Sequence, residues 1–138
     1  MDTADPTTRI RSWHAHVYYD GPAQREQAAR LRAQVADRFT VQLGRWRDAL
    51  VGPHSRSMYM VAFTPDLFAE IVPFLALNRQ GLDVLLHPNT GAPRDDHLLH
   101  ALWLGERLPV KAEVLPLAAT PEQDEQLQIN SWPDRPGA

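Results

Sequence analysis

The sequence predicts a single α+β domain in strand–helix–strand–strand–helix–strand order (βαββαβ): an antiparallel sheet with helices on one face, extended by a short helix and a last strand. Three observations carry this prediction. Apolar and polar residues alternate in short runs rich in β-formers. Two longer runs between them switch to helical periodicity. Twelve prolines and seven glycines in 138 residues punctuate the chain, as many short elements require.

Residues 10–19 alternate through Trp13, Ala15 and Val17, and Asp20-Gly21-Pro22 ends this first strand. Residues 23–38 lack Gly and Pro; Ala28, Leu31 and Val35 share one face with Arg and Gln opposite, which makes an amphipathic helix. Residues 39–45 alternate again, with Val41 and Leu43 on one side. Residues 46–56 contain Gly52-Pro53 and read as a loop, and 58–63 form the third strand. Thr64 as N-cap and Pro65 at the first helical position start a helix to about Arg79, kinked or shortened at Pro73 and closed by Gly81. Residues 82–87 form the fourth strand, closed by Pro88-Asn89-Thr90-Gly91. Asp95 or Asp96 caps a short helix to about Leu104, and 108–115 is expected to be a fifth strand. The order is that of the ferredoxin-like split βαβ pattern. Its uncovered sheet face predicts a homodimer. Residues 1–9 read as a flexible leader, 10–118 as the domain, and 119–138 as an irregular tail in which Leu127, Ile129 and Trp132 dock on the body.

In the first strand the apolar set faces the helices, so His14, His16 and Tyr18 project from the opposite face. Imidazoles at i and i+2 lie about 7 Å apart at Cα, close enough to converge on one ion. In this topology the fourth strand runs antiparallel beside the first, which brings His87 to His14 and His16. His97 can fold back to the same end; His54 is expected nearer the opposite end of the sheet unless its loop or a partner subunit carries it over. His100 is read as structural or exposed. Taken singly, a histidine is more often a surface or core residue than a ligand, and it is the joint placement that points to a metal site.

Composition narrows the chemistry. The absence of cysteine excludes disulfides, thiolate metal sites and cysteine nucleophiles. A net charge of −3, with Lys111 the sole lysine, argues against nucleic acid as the partner. No apolar run approaches the ~18–20 residues of a membrane span, and no secretory signal is visible, so the expected location is the cytoplasm. There is no His-Glu-x-x-His helix, Gly-rich phosphate loop or Gly-x-Ser-x-Gly elbow. An imidazole cluster without thiolates favours Fe(II), Zn(II), Cu(II) or similar ions, with possible carboxylate help from Asp83, Asp95, Asp96 or Asp20.

Trp13-His14-Ala15-His16-Val17-Tyr18-Tyr19-Asp20, Val51-Gly52-Pro53-His54, Leu77-Asn78-Arg79-Gln80-Gly81-Leu82, Leu86-His87-Pro88-Asn89-Thr90-Gly91, and Asp96-His97 followed by Ala101-Leu102-Trp103-Leu104-Gly105 together resemble the DOPA 4,5-dioxygenase family. The resemblance covers residues 10–118 and implies a dimeric ferredoxin-like domain that cleaves a catechol in extradiol fashion with O2 and non-haem Fe(II), to a ring-opened semialdehyde. The family's recurring histidines fall on His14, His16, His54, His87 and His97. On that implication His14, His16 and His87 are expected to hold the metal, and His54 and His97 to act as catalytic base and acid. Three-His and two-His-one-carboxylate ligand sets both stay open. Tyr18 is placed to contact substrate, and Arg79, Arg45 or Arg56 to pair with a substrate carboxylate. The alternatives are a metal-binding domain without dioxygenase activity and a small-molecule-binding dimeric module.

Overall fold

The computed structural model describes residues 3–118. Its elements are β1 (Ser12–Tyr19), α1 (Gly21–Arg38), β2 (Gln42–Leu43), β3 (Ser57–Phe63), α2 (Phe68–Asn78), β4 (Val84–Asn89), α3 (Pro93–Leu98) and β5 (Leu102–Leu104). The five strands form one sheet in the order β2-β3-β1-β4-β5, and every pairing in it is antiparallel. The central position falls to β1, flanked on both sides and buried along almost its whole length.

Alternation sorts the side chains of β1 to two faces. Trp13, Ala15, Val17 and Tyr19 join Ala28, Leu31 and Val35 of α1 and Ile71 and Leu75 of α2 in the main core. Tyr59 buries its ring there and donates its hydroxyl to Ala28 O at 2.8 Å, tying β3 to α1. On the other face Tyr18 packs with Met58, Leu85 and Leu108 in a second, smaller cluster.

Several boundaries depart from the sequence expectations. The second strand is confined to Gln42–Leu43 and its pairing continues irregularly, through Gly44 N to Met60 O at 2.8 Å and an Arg47–Met58 bridge. Thr64 caps nothing with its side chain; a 3-10 turn, Pro65–Leu67, leads into α2, which runs through Pro73 to Asn78. Gly81 turns the chain beyond the helix at φ 78°. The third helix ends at Leu98, and the expected second half of it is β5. The unpaired edge of β4 accepts Leu102–Leu104, and Gly105 at φ 84° turns the chain off the sheet. A fifth strand over 108–115 is therefore not formed. That stretch crosses the second face instead, bridging His54 through Val110 and closing in a 3-10 turn, Ala112–Val114. The face expected to be open thus carries α3 and the crossing segment. Within the leader, Thr7–Arg9 forms a 3-10 turn and Arg11 N donates to Asn89 O at 3.0 Å. Leu127, Ile129 and Trp132 lie outside the described residues. No helix among the described residues is long and apolar enough to cross a membrane.

Candidate metal centre

The register of the sheet assembles the site. His14 of β1 stands opposite His87 of β4, and His16 is two residues along β1 on the same face. His16 Nε2 and His87 Nε2 come within 3.0 Å, and the His14 and His87 ring centroids within 5.0 Å. α3 then lays His97 over His87, with centroids 3.9 Å apart. His54 arrives from the loop before β3, 4.2 Å from the His16 ring. The loop, which runs back over the sheet, brings His54 to the cluster rather than leaving it at the far end. Its position is fixed from outside: His54 bridges Val110, Lys111 N donates to Pro53 O at 2.8 Å, and Ser55 Oγ donates to Pro109 O at 2.9 Å. Five of the chain's six histidines, the five expected at the site, are gathered at one place. His100 stays exposed beyond α3, against Asp96 at 3.0 Å.

The imidazoles are held neutral. Burial pushes His16 and His87 well below the ordinary value, aided by their neighbouring rings. Burial, with the His97 charge, lowers His54 to about 4, and lowers the half-buried His14 to about 3. His97 is also lowered by burial, but the Pro93 carbonyl and Asp96 oppose the shift.

Backbone carbonyls fix which nitrogens face inward. His87 Nδ1–H donates to Pro88 O at 2.9 Å, and His97 Nδ1–H donates to Pro93 O at 2.8 Å. Each therefore directs an Nε2 lone pair away from its anchor, the arrangement that orients histidine ligands in metal sites. His54 Nδ1 shares a 2.7 Å hydrogen bond with Tyr18 Oη, which leaves Nε2 for the cluster. Burial raises the Tyr18 pKa, so the phenol keeps its proton.

The residues fit a borderline divalent cation. Buried His16 Nδ1 has no hydrogen-bond partner, and His16 Nε2 meets the lone pair of His87 Nε2, so His16 cannot satisfy both nitrogens within the protein. Two nitrogens 3.0 Å apart are also spaced as neighbouring donors on one cation, given metal–nitrogen distances of about 2.1 Å. Ligand atoms of His14, His16 and His87 lie within 4.8 Å of one another, and so do those of His16, His54 and His97.

No carboxylate joins either set among the described residues. Asp83 is taken by Arg56 at 3.2 Å and by Glu106 N at 2.7 Å. Asp96 is buried and accepts from Thr90 N at 2.8 Å and Thr90 Oγ1 at 2.7 Å, clamping the turn after β4 to α3 rather than capping the helix. Asp20 is exposed beyond the end of β1.

A cavity of about 230 Å³ opens on His16 and His54, with Met58 and Met60 as its apolar wall and Arg45 and Arg47 on its lining. Arg47 was not among the residues expected from sequence. Its one signal is position: it lies two residues from Arg45 in the irregular continuation of β2. Arg79 is spent on the carbonyls that close α2, Leu82 O and Ala76 O, and Arg56 on Asp83.

Comparison with known proteins gives the chain's relatives. Residues 13–114 match the Dopa 4,5-dioxygenase family. A DOPA 4,5-dioxygenase of Amanita muscaria is 29% identical over 118 residues, covering 80% of this chain and 52% of that protein. An uncharacterised 21.2 kDa protein of Botryotinia fuckeliana is 33% identical over 110 residues, covering 72% of this chain and 60% of that one. The chain thus spans between half and three-fifths of the length of these two relatives. A crystal structure from Nostoc punctiforme, described as a "putative dioxygenase", is 50% identical and superposes with a TM-score of 0.79, covering 81% of this chain and 96% of that one.

Proposed function

The chain belongs to the Dopa 4,5-dioxygenase family, and from that premise we propose that it is an extradiol dioxygenase, opening the ring of a catechol with O2 at a non-haem Fe(II). The observation that carries the reading is the convergence of five neutral imidazoles, two of them anchored through Nδ1 to backbone carbonyls, beside a cavity large enough for one aromatic ring. His14, His16 and His87 are assigned as the metal ligands. When bound, Fe(II) supplies the redox-active centre at which a catechol and O2 can react.

The remaining steps belong to the chain. His54, held near 4 by burial, is unprotonated at neutral pH. With Nδ1–H donated to Tyr18 Oη, its Nε2 takes the catechol proton, and Tyr18 fixes the ring plane for that transfer. His97 is assigned as the acid: burial lowers it, but the Pro93 carbonyl and the Asp96 carboxylate oppose that shift, and no carboxylate does the same for His54. Met58 and Met60 exclude water along one side of the ring. The reading extends to a homodimer in the cytoplasm, with Leu98, Leu99 and Leu102 exposed beside the edge strand β5 as an apolar surface for the second copy.

The test is anaerobic reconstitution with Fe(II), addition of a catechol, then admission of O2. A yellow ring-opened product with one O2 consumed per catechol is expected. Iron retained without turnover of any catechol would leave a metal-binding protein and end the enzyme reading. A specific observation supports a second ligand set, His16, His54 and His97. His54→Ala separates the two, since it spares metal content in the first and abolishes it in the second.

A further inference from the structure

Resting on the ring-cleaving reading above, we propose that the cavity beside His16 and His54 selects catechols whose side chain ends in a carboxylate and carries no ammonium group, with Arg45 and Arg47 as the specificity-determining residues.

Arg25, Arg56, Arg79 and Arg94 each spend the guanidinium on a carboxylate or a backbone carbonyl. Arg45 and Arg47 make no such bond, ion pair or ring contact among the described residues, yet both line a cavity that reaches His16 and His54. The backbone puts them there. Gly44 N donates to Met60 O at 2.8 Å, and Arg47 N to Met58 O at 2.8 Å, so the chain continues along the edge of β3. Gly44 allows this close approach, because a Cβ there would press on Met60 Cβ at 3.3 Å. His16 pairs with Met60, and Tyr18 with Met58, so the two arginines ride on the strand beside the imidazole row.

Charge completes the case. No carboxylate lines the cavity among the described residues. Asp48, next in sequence to Arg47, already accepts from Tyr19 Oη at 2.7 Å and Arg25 Nε at 2.9 Å. A ligand carboxylate meets two guanidiniums whose fork geometry suits it. A ligand ammonium meets the same two cations and has no acceptor of opposite charge to offset its desolvation. The volume of about 230 Å³ holds a single ring with a short chain.

Three catechols with the same ring separate these terms: dihydrocaffeate carries a carboxylate alone, DOPA a carboxylate and an ammonium, and dopamine an ammonium alone. Each is titrated anaerobically into the Fe(II)-loaded protein by tryptophan fluorescence, then assayed with O2. The expected order in affinity and in kcat/KM is dihydrocaffeate, DOPA, dopamine, with at least a hundredfold between the first and last at low salt and a smaller span at high salt. In R45Q/R47Q the dihydrocaffeate-to-dopamine ratio falls to within a few-fold of one, whereas R45K/R47K keeps most of it. Both positions are exposed, and an unchanged melting temperature checks that the variants fold. Dopamine bound or cleaved as well as dihydrocaffeate overturns the proposal, as does an unchanged ratio in R45Q/R47Q or no binding of any of the three. Equal cleavage of all three sinks this inference and leaves the ring-cleaving reading intact. Ordered binding without cleavage does the reverse.

Discussion

Lowering the pH should unfold the metal-free protein at an unusually mild acidity. In the unfolded chain each imidazole titrates near 6.5, whereas in the folded site His54 titrates at about 4, and His16 and His87 lie well below the ordinary value. Above pH 6.5 the rings are neutral in both states and cost nothing. As the pH falls through 6.5 the unfolded chain gains protons that the folded site refuses, so stability declines, and the decline for each ring ends only at its folded value. Between pH 7 and 5 this amounts to about 2 kcal/mol per ring. His16, His54 and His87 together lose about 6 kcal/mol, and His14, lowered to about 3, and His97 add to the loss in the same direction. That is comparable to the whole stability of a domain this size, about 5–15 kcal/mol. The assay is urea denaturation of chelator-treated protein at half-unit steps from pH 7.5 to 5. The unfolding free energy should fall with a slope approaching three protons near pH 5.5, and His54→Gln should remove about one proton from it. A flat profile over this range, or a slope below one proton, would falsify the picture of a pre-formed cluster of neutral, buried imidazoles. Metal affinity should weaken over the same range, because protons and metal compete for the same lone pairs.

Other perturbations read the parts separately. His16→Ala should abolish iron retention, measured by metal analysis after gel filtration, and full iron content would refute the ligand assignment. Tyr18→Phe removes the partner of His54 Nδ1 and should cost about 1 kcal/mol in stability, with a fall in kcat larger than any change in KM. Asp96→Ala strips two acceptors from Thr90 and should cost about 2–4 kcal/mol by thermal melting, more than Asp95→Ala at the half-exposed neighbour. Leu31→Ala hollows the contact between α1 and the sheet and should cost about 2–5 kcal/mol with no change in iron content.

Much of the site was legible because a strand's two-residue period is strict. Once residues 10–19 are a strand with Trp13, Ala15 and Val17 inward, His14 and His16 must share the other face, and the split topology then delivers His87 to them. His54 could be placed only conditionally, on its loop carrying it over, for the complementary reason. Its route depends on an irregular loop and on hydrogen bonds to residues more than fifty positions later, and neither leaves a periodic trace. The last strand was misjudged where two weak signals competed. Leu102, Trp103 and Leu104 continue a helical pattern locally, but an unfilled sheet edge beside β4 overrides so short a preference. Asp96 looked like a helix cap from sequence, and only the fold shows the Thr90 turn behind it.

The clasp between residues 53–55 and 109–111 has a temporal consequence. Four of the clustered rings sit on β1, β4 and α3 and can meet as soon as those elements pair. The clasp on the fifth can form only once the chain has passed Gly105 and swung back to the His54 loop, which it meets at the Pro53 carbonyl and the Ser55 hydroxyl. A nascent or clipped polypeptide ending before residue 108 would therefore carry all five rings without the contacts that hold the His54 loop against the other four.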